Sequence, residues 1–173
     1  MKIKGYITNL GKYNEGELIG KWVDFPIDDD ELENVFKEIG INKEYEEYFI
    51  TDYENNIFNF GEYTSIGEIN RIVEQYQELC ECQNDEVIKA LIDNYNGDLD
   101  DVKNALDRLT IYHNVDDMED VARIYIEETD FLLNVPKIIS EYFNYEKFGE
   151  RLECEGTWIW FGKQLNNVIC VWN

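Results

Sequence analysis

The excess of acidic side chains is the feature that most restricts how this chain can fold. Its 173 residues include 38 Asp and Glu against 15 Lys and Arg, which gives a net charge of −23. Disordered acidic chains contain few aromatic residues, whereas this chain carries 12 Tyr, 9 Phe and 4 Trp spread along its length. We therefore expect a folded body with its acidic residues on the surface, which nucleic acids and anionic membranes repel.

The acidic residues are distributed evenly and do not form a tail. Residues 1–60 carry 14 acidic and 6 basic side chains, residues 61–115 carry 12 and 4, and residues 116–173 carry 12 and 5. The longest acidic run is only DDDE at 28–31. At the charge density of B-DNA, 38 carboxylates match roughly 19 base pairs. The charge is therefore sufficient to imitate a short DNA duplex.

Hydrophobic periodicity predicts an α+β chain. Alternating patterns near 2–9, 18–25 and 47–53 predict three strands, with a helix that begins at an aspartate cap and ends at Gly40. The next segment reads as helical, with a capping box at Ser65 and Glu68 and cap residues at Asn84 and Asp98.

The last segment mixes strands and helices. TIYHNV predicts a strand, DDMEDVARIYIEE a helix, VPKIISEYF a proline-led helix, and GTWIWFG and NNVICVWN a closing pair of strands. Trp158 and Trp160 share one strand face, which is consistent with either core packing or a subunit interface. We predict an elongated chain of three small domains: an N-terminal α+β domain (1–61), a helical middle domain (62–108) and a C-terminal α+β domain (109–173).

The stretch NLGKYNEGELIGKW at 9–22 resembles a phosphate-binding loop in its glycine spacing. Gly11 and Gly16 have the Walker spacing, but Glu17 and Leu18 follow where such a loop needs a lysine and a hydroxyl residue. A carboxylate at that position repels a phosphate. We therefore interpret the stretch as a glycine-rich turn between two strands.

Residue types that support catalysis or metal binding are scarce. The chain has one histidine, His113, and no Gly-x-Ser-x-Gly elbow, so acid–base chemistry would depend on carboxylates alone. Cys80-x-Cys82 is an uncommon zinc spacing, and NYNGDLDD does not fit a calcium loop. We expect reduced thiols, no cofactor, no metal and no enzymatic activity, and keep a carboxylate enzyme as the third hypothesis.

Targeting signals are also not apparent in the sequence. No stretch reaches the roughly 18 apolar residues of a membrane helix, and MKIKGYITN lacks the apolar core of a signal peptide. We expect a cytoplasmic protein.

Five blocks of sequence together resemble the ArdA antirestriction proteins, in order and in spacing. They are YITNLGKYNEGELIGKWVDFPID, EYEEYFITDYE, EYTSIGEINR, DDMEDVARIYIEET and NVPKIISEYFNYEKFGERLE, and they span residues 6 to about 157. The resemblance implies a curved, three-domain homodimer, encoded on mobile genetic elements, that imitates bent B-form DNA. Such a protein occupies the DNA-binding groove of type I restriction-modification enzymes and has no catalytic activity.

The resemblance also indicates functional residues. It places an antirestriction motif from Asn134-Val135-Pro136 to Glu150-Arg151-Leu152, and it implies a dimer formed through the domain that contains the acidic block Asp116–Ala122. For the dimer contact we predict three apolar residues around that block, Tyr112, Val115 and Met118. For the DNA-mimicking surface we predict twenty carboxylates, called the acidic set below: Asp28, Asp29, Asp30, Glu31, Glu44, Glu46, Glu47, Asp52, Glu54, Glu62, Glu68, Asp98, Asp100, Asp101, Asp116, Asp117, Glu119, Asp120, Glu127 and Glu128.

The predicted partners are the type I enzyme, as methyltransferase core and as full complex, and a second copy of the chain, with no nucleic acid and no membrane. The alternative hypothesis is an acidic module that mimics DNA toward another cationic DNA-binding protein or acts as its chaperone. In either case many carboxylates share the binding, so we expect single substitutions of acidic residues to have little effect.

Overall fold

The computed structural model describes residues 2–173, and the chain divides into two compact units. Unit 1 comprises the residues up to Cys82, and unit 2 comprises the residues from Gln83 to Asn173. Each unit combines a three-stranded antiparallel sheet with helices, which confirms the α+β class. The division into three domains is not confirmed and stays a prediction.

Unit 1 is built on a sheet whose middle strand is the first strand of the chain. Its elements are β1 (Ile3–Asn9), α1 (Leu10–Asn14), β2 (Gly20–Phe25), α2 (Asp29–Glu38), β3 (Tyr48–Glu54) and α3 (Ile66–Cys82). The strands lie in the order β2-β1-β3, so all three predicted strands are confirmed. The predicted limits of α2 are also confirmed, because Asp28 caps its first turn and Gly40 follows it with a φ of +78°.

One face of this sheet is buried beneath α2 and α3. Because side chains alternate along a strand, Ile3 and Ile7 of β1 enter a core cluster with Val35 of α2 and Ile69 of α3. The capping box that opens α3 is confirmed on its serine side, where Ser65 Oγ accepts a hydrogen bond from the Glu68 amide at 3.2 Å. The opposite face of the sheet carries the alternate residues of each strand.

The glycine-rich stretch between β1 and β2 contains a helical turn that its residue pattern does not predict. Asn9 ends β1 and caps α1, with its side-chain oxygen 3.0 Å from the Lys12 amide nitrogen. Gly16 then has a φ of +89°, which reverses the chain toward β2. The interpretation as a connection between two strands is confirmed, but the connection is a short helix followed by a turn.

Unit 2 contains a second antiparallel sheet, in which the last strand of the chain lies in the middle. Its elements are α4 (Asp85–Asn94), α5 (Leu99–Leu106), β4 (Leu109–His113), α6 (Met118–Glu128), α7 (Lys137–Ser140), α8 (Tyr145–Leu152), β5 (Gly156–Phe161) and β6 (Asn167–Trp172). The strand order is β4-β6-β5, and the predicted caps Asn84 and Asp98 are confirmed. The proline-led helix α7 is shorter than expected, and α8 is an additional helix.

Helices α6 and α8 pack together over one face of this sheet. Val121 of α6 and Leu152 of α8 share a core cluster with Tyr112 and Val168 of the sheet. The helices approach so closely at Gly149 that a Cβ there would lie 2.4 Å from the Met118 carbonyl oxygen. Trp158 and Trp160 pack against the same cluster, which supports core packing for this pair.

Helix α3, with 17 residues, is the longest in the part of the chain that the structure describes. Within residues 2–173, none of the helices combines the length and the apolar character that crossing a membrane requires.

Candidate protein-binding surface

Acidic side chains form clusters where three of the helices begin, at 28–31 in α2, 98–101 in α5 and 116–120 in α6. In each cluster an aspartate side chain caps the helix, as where Asp28 Oδ1 lies 2.7 Å from the Glu31 amide nitrogen. A carboxylate at this position satisfies an unpaired amide and interacts favourably with the positive end of the helix dipole. The same local preference therefore fixes several carboxylates on a rigid backbone.

The acidic set lies at the surface of both units. None of its twenty carboxylates is buried, and all are exposed except Glu119 and Asp120, which are half-buried. Ion pairs among residues 2–173 involve only two members of the set, Glu54 with Lys4 at 3.3 Å and Glu119 with Arg123. The carboxylates of the set are therefore largely available to an external cation.

The basic residues pair mainly with carboxylates outside the acidic set. Hydrogen bonds from Lys2 and Lys37 lower the pKa values of the Asp24 and Glu33 carboxyl groups, at distances of 2.7 and 2.9 Å. The bond from Lys12, at 3.0 Å, does the same for Glu15. Intramolecular neutralisation thus falls mainly on residues that the DNA-mimicking hypothesis does not use.

The histidine and cysteines, which we considered for catalysis or metal binding, take part in contacts within the fold or carry free thiols. His113 Nδ1 lies 3.0 Å from Asn167 Oδ1, a contact between the neighbouring strands β4 and β6. Cys82, Cys154 and Cys170 are free thiols, and burial raises the pKa of Cys170 to about 12. Within residues 2–173, no three or more His, Cys, Asp or Glu side chains are grouped so that they would hold a metal ion.

Two of the three residues predicted for the dimer contact lie inside the hydrophobic core of unit 2. Tyr112 is 3% exposed and Val115 is 0% exposed, and half-buried Met118 packs against the same cluster. Apolar residues beside Asp116 suggest a surface contact in the sequence, but the chain turns their side chains toward α6 and the sheet. The choice of Tyr112 and Val115 as contact residues is therefore corrected, whereas the homodimer itself stays a prediction.

The segment that carries the antirestriction motif has two structural parts. The second part is α8, in which Asn144 caps the helix and Leu152 is buried in the core. The first part, around α7, exposes large apolar side chains that the sequence analysis does not single out. These residues, called the apolar patch below, are Phe131, Leu133, Ile138, Ile139 and Tyr142, and each is more than half exposed.

Because its exposed carboxylates are available, the chain is an acidic protein suited to a cationic partner. Comparison with known proteins gives its family. The sequence matches the family model described as antirestriction protein (ArdA) over residues 5–164 of 173. A search among curated protein sequences gives no match. Because the family match covers nearly the whole chain, the chain belongs to the ArdA antirestriction protein family, and the resemblance of its sequence blocks is confirmed. Membership implies an antirestriction function and interaction with restriction enzymes.

Proposed function

We propose that this chain inhibits type I restriction-modification enzymes by imitating B-form DNA. The observation that carries the proposal is the acidic set, whose carboxylates are unburied and are mostly not paired with the chain's own bases. A restriction enzyme holds DNA in a groove lined with Arg and Lys, and a carboxylate makes the same charge-assisted hydrogen bonds to these residues as a phosphate does. The mechanism is competition for the groove.

This mechanism needs no recognition of a base sequence. Contacts to phosphates position a protein on DNA without reading its sequence, so an imitation of phosphates blocks enzymes with different recognition sites. The contacts are numerous and solvent-exposed, and each exposed ion pair contributes only about 0.2–1 kcal/mol. Loss of one acidic residue that acts only through such an exposed pair is therefore expected to weaken inhibition only slightly.

We also propose that two copies form a homodimer through the apolar patch of unit 2. A chain with a net charge of −23 repels its copies, so a contact needs apolar area with few acidic groups. The patch meets this condition, because residues 131–142 contain one acidic side chain, Glu141, which lies 3.8 Å from the Lys137 amino group. A dimer doubles the number of carboxylates that one particle presents to the enzyme.

The test is inhibition of a purified type I enzyme at several concentrations of its substrate DNA. Competition predicts that the apparent inhibition constant rises in proportion to the DNA concentration, for DNA cleavage and for methylation by the core enzyme. Inhibition that excess DNA does not relieve would contradict the proposal.

Two quadruple variants with the same change in net charge test the location of the site. The first, Asp29→Asn, Asp30→Asn, Asp100→Asn and Asp101→Asn, removes carboxylates of the acidic set that do not cap a helix. The control, Glu15→Gln, Asp24→Asn, Glu33→Gln and Glu38→Gln, removes carboxylates that are already paired with lysines. We expect the first variant to weaken inhibition about tenfold to a hundredfold and the control to have a clearly smaller effect.

A further inference from the structure

We propose that the open sheet face of unit 1 contains a pocket for one arginine side chain of the cationic partner, formed around Tyr6, Trp22 and Asp52. The inference rests on the proposed function, because an arginine of a DNA-binding groove is the occupant. It adds a defined contact point to a surface that otherwise acts through distributed charge.

The three residues form one row across the sheet. Tyr6 of β1 pairs with Trp22 of β2 on one side and with Asp52 of β3 on the other, in antiparallel register. Residues directly opposite each other on adjacent strands point to the same face, and this is the face away from the core that α2 and α3 cover. The Tyr6 and Trp22 ring centroids are 5.3 Å apart with the planes tilted by 59°. Two aromatic faces and a carboxylate therefore lie side by side.

Local backbone features hold this row in place. The pairing of β1 with β3 shifts by one residue after Tyr6, so that Thr51 forms a bulge beside Asp52. The Thr51 hydroxyl lies 2.9 Å from that of Thr8, which fixes the bulged residue against the sheet. At Gly20, a Cβ would lie 2.6 Å from Tyr6 Cε1, so the absence of a side chain there leaves room for the tyrosine ring.

The segment after β1 provides the rim of the pocket. Tyr13 of α1 and Leu18 join Tyr6, Trp22, Thr51 and Asp52 around a cleft of about 420 Å³. Tyr13 is anchored, because its ring packs edge-on against Phe49 at 5.1 Å. A cleft of this size is within the range of small-ligand sites, and it accommodates one long side chain together with its head group.

The charge of the pocket selects a cation. Among the residues of the described chain that line the cleft, Asp52 alone is charged. In the neighbouring row of the same face, Lys4 pairs across the strands with Asp24 and Glu54, and its amino group lies 3.3 Å from Glu54. That base is therefore already neutralised, and the face as a whole carries negative charge. A partner group that enters the cleft meets a carboxylate without a competing intramolecular cation.

The aromatic rings favour arginine among the possible cations. A planar guanidinium stacks on aromatic faces, whereas an ammonium group is more strongly hydrated. Asp52 Oδ1 accepts a hydrogen bond from the Tyr53 amide at 2.8 Å, so Oδ2 is the oxygen that meets the guanidinium. The exposure of the rings also needs an explanation, since Trp22 is 40% and Tyr13 is 49% exposed in a chain that can bury aromatic residues. Trp, Tyr and Arg are the residues that most often dominate the energy of protein interfaces. A phosphate backbone has no equivalent of these rings, so the pocket would add a contact that DNA does not make.

Four single variants of the full chain test the role of the pocket in inhibition. We expect Trp22→Leu, which keeps an apolar side chain but removes the ring, and Asp52→Asn each to raise the inhibition constant about tenfold, and Trp22→Phe to raise it only about threefold. The control Glu78→Gln removes an exposed carboxylate of α3 outside the acidic set and is expected to change the constant less than about twofold. A change for Trp22→Leu no larger than for Glu78→Gln would overturn the role of the pocket.

A direct binding measurement does not depend on the restriction enzyme. Trp22 is the only tryptophan before residue 158, so its indole N–H resonance is assigned by its absence in Trp22→Leu. The probes are N-acetyl-arginine amide, the corresponding lysine derivative and the uncharged norleucine derivative, added at equal ionic strength. We expect arginine to shift the Trp22 indole and Asp52 amide resonances, lysine to shift them less and norleucine to leave them unchanged.

The two measurements separate the possible failures. If the wild-type chain does not inhibit the enzyme, the proposed function fails, and the resonance shifts still decide whether the pocket binds arginine. If the wild type inhibits but arginine shifts neither resonance, or shifts them no more than norleucine, arginine recognition is overturned while the proposed function stands. If arginine binds but the Trp22 variants inhibit normally, the role of the pocket with this partner is overturned.

Discussion

The two units use aromatic residues on three-stranded sheets in opposite ways. In unit 2, Tyr112 and Trp158 stack with ring centroids 6.1 Å apart beneath helices α6 and α8. In unit 1, Tyr6 and Trp22 of adjacent strands form an aromatic contact at 5.3 Å on the face that α2 and α3 leave open. One aromatic group therefore supports the fold, and the other is available to a partner. The covering helices, more than the residue types, determine this difference.

The largest expected effect is the loss of the aromatic core of unit 2. Tyr112→Asp places a carboxylate at a site that is 3% exposed, and we expect it to lower the free energy of unfolding by about 4 kcal/mol or more. Trp22→Leu, at the open face, is expected to lower it by about 1 kcal/mol or less. Urea unfolding followed by circular dichroism measures both, and tryptophan fluorescence follows unit 2 separately, since three of the four tryptophans lie there. A stable Tyr112→Asp protein would contradict the distinction between the two sheets.

The apolar patch allows the same comparison of exposed and buried side chains within unit 2. Ile138 is 65% and Ile139 is 57% exposed, so the double variant Ile138→Asp, Ile139→Asp is expected to shift sedimentation from dimer to monomer at micromolar concentration. Its circular dichroism spectrum should remain that of the wild type, in contrast to that of Tyr112→Asp. A wild-type chain that sediments as a monomer, or a double variant that remains dimeric, would exclude this contact.

Alkaline pH is expected to destabilise unit 2 more than unit 1. Burial raises the pKa of Cys170 from its usual 9.0 to about 12 and also raises the pKa of Tyr112, whereas in unit 1 burial raises the pKa of Tyr53 from 10.0 to about 12. These groups are neutral when protonated, so the stability that they contribute is present below about pH 9–10 and is lost as the pH rises toward 12. The control Cys170→Ala should lose less stability between pH 9 and 11 than the wild type. Equal losses for the two proteins would show that the thiol is not linked to folding.

The smallest expected effect is a salt-dependent rise in thermal stability, which concerns both units. Unit 1 carries 19 acidic and 7 basic residues, and unit 2 carries 19 and 8. Moderate NaCl screens this repulsion, so we expect the thermal midpoint of the free protein to rise by a few degrees. A flat or falling midpoint would indicate that the carboxylates are paired or bound to cations.

Local signals in the sequence predict much of the fold but not which face of each sheet the helices cover. The strands, the caps at Ser65, Asn84 and Asp98 and the end of α2 at Gly40 follow from residue patterns of a few positions. Helix α8 is missed because Gly149 has a low helix propensity, and this glycine reflects close contact with α6.

The candidate site residues are limited in the same way, because local sequence does not tell which face is covered. Alternation in β1 and β2 places Tyr6 and Trp22 on one face, but which face the helices cover depends on contacts that are distant in sequence. For the same reason Tyr112 and Val115 resemble surface residues beside an acidic block, although both are buried. By contrast, charge is a property of composition, and the exposure of the acidic set follows from it.

The central claim is that carboxylates of a folded chain replace the phosphates of DNA in the groove of a type I restriction enzyme. The most direct test is the affinity of the wild-type chain for the purified enzyme, measured by a binding assay without DNA from 50 to 200 mM salt. We expect the affinity to fall by about a thousandfold over this range, as it does for a ligand that makes about six phosphate-like contacts. An affinity that stays constant across the range would contradict DNA mimicry as the basis of inhibition.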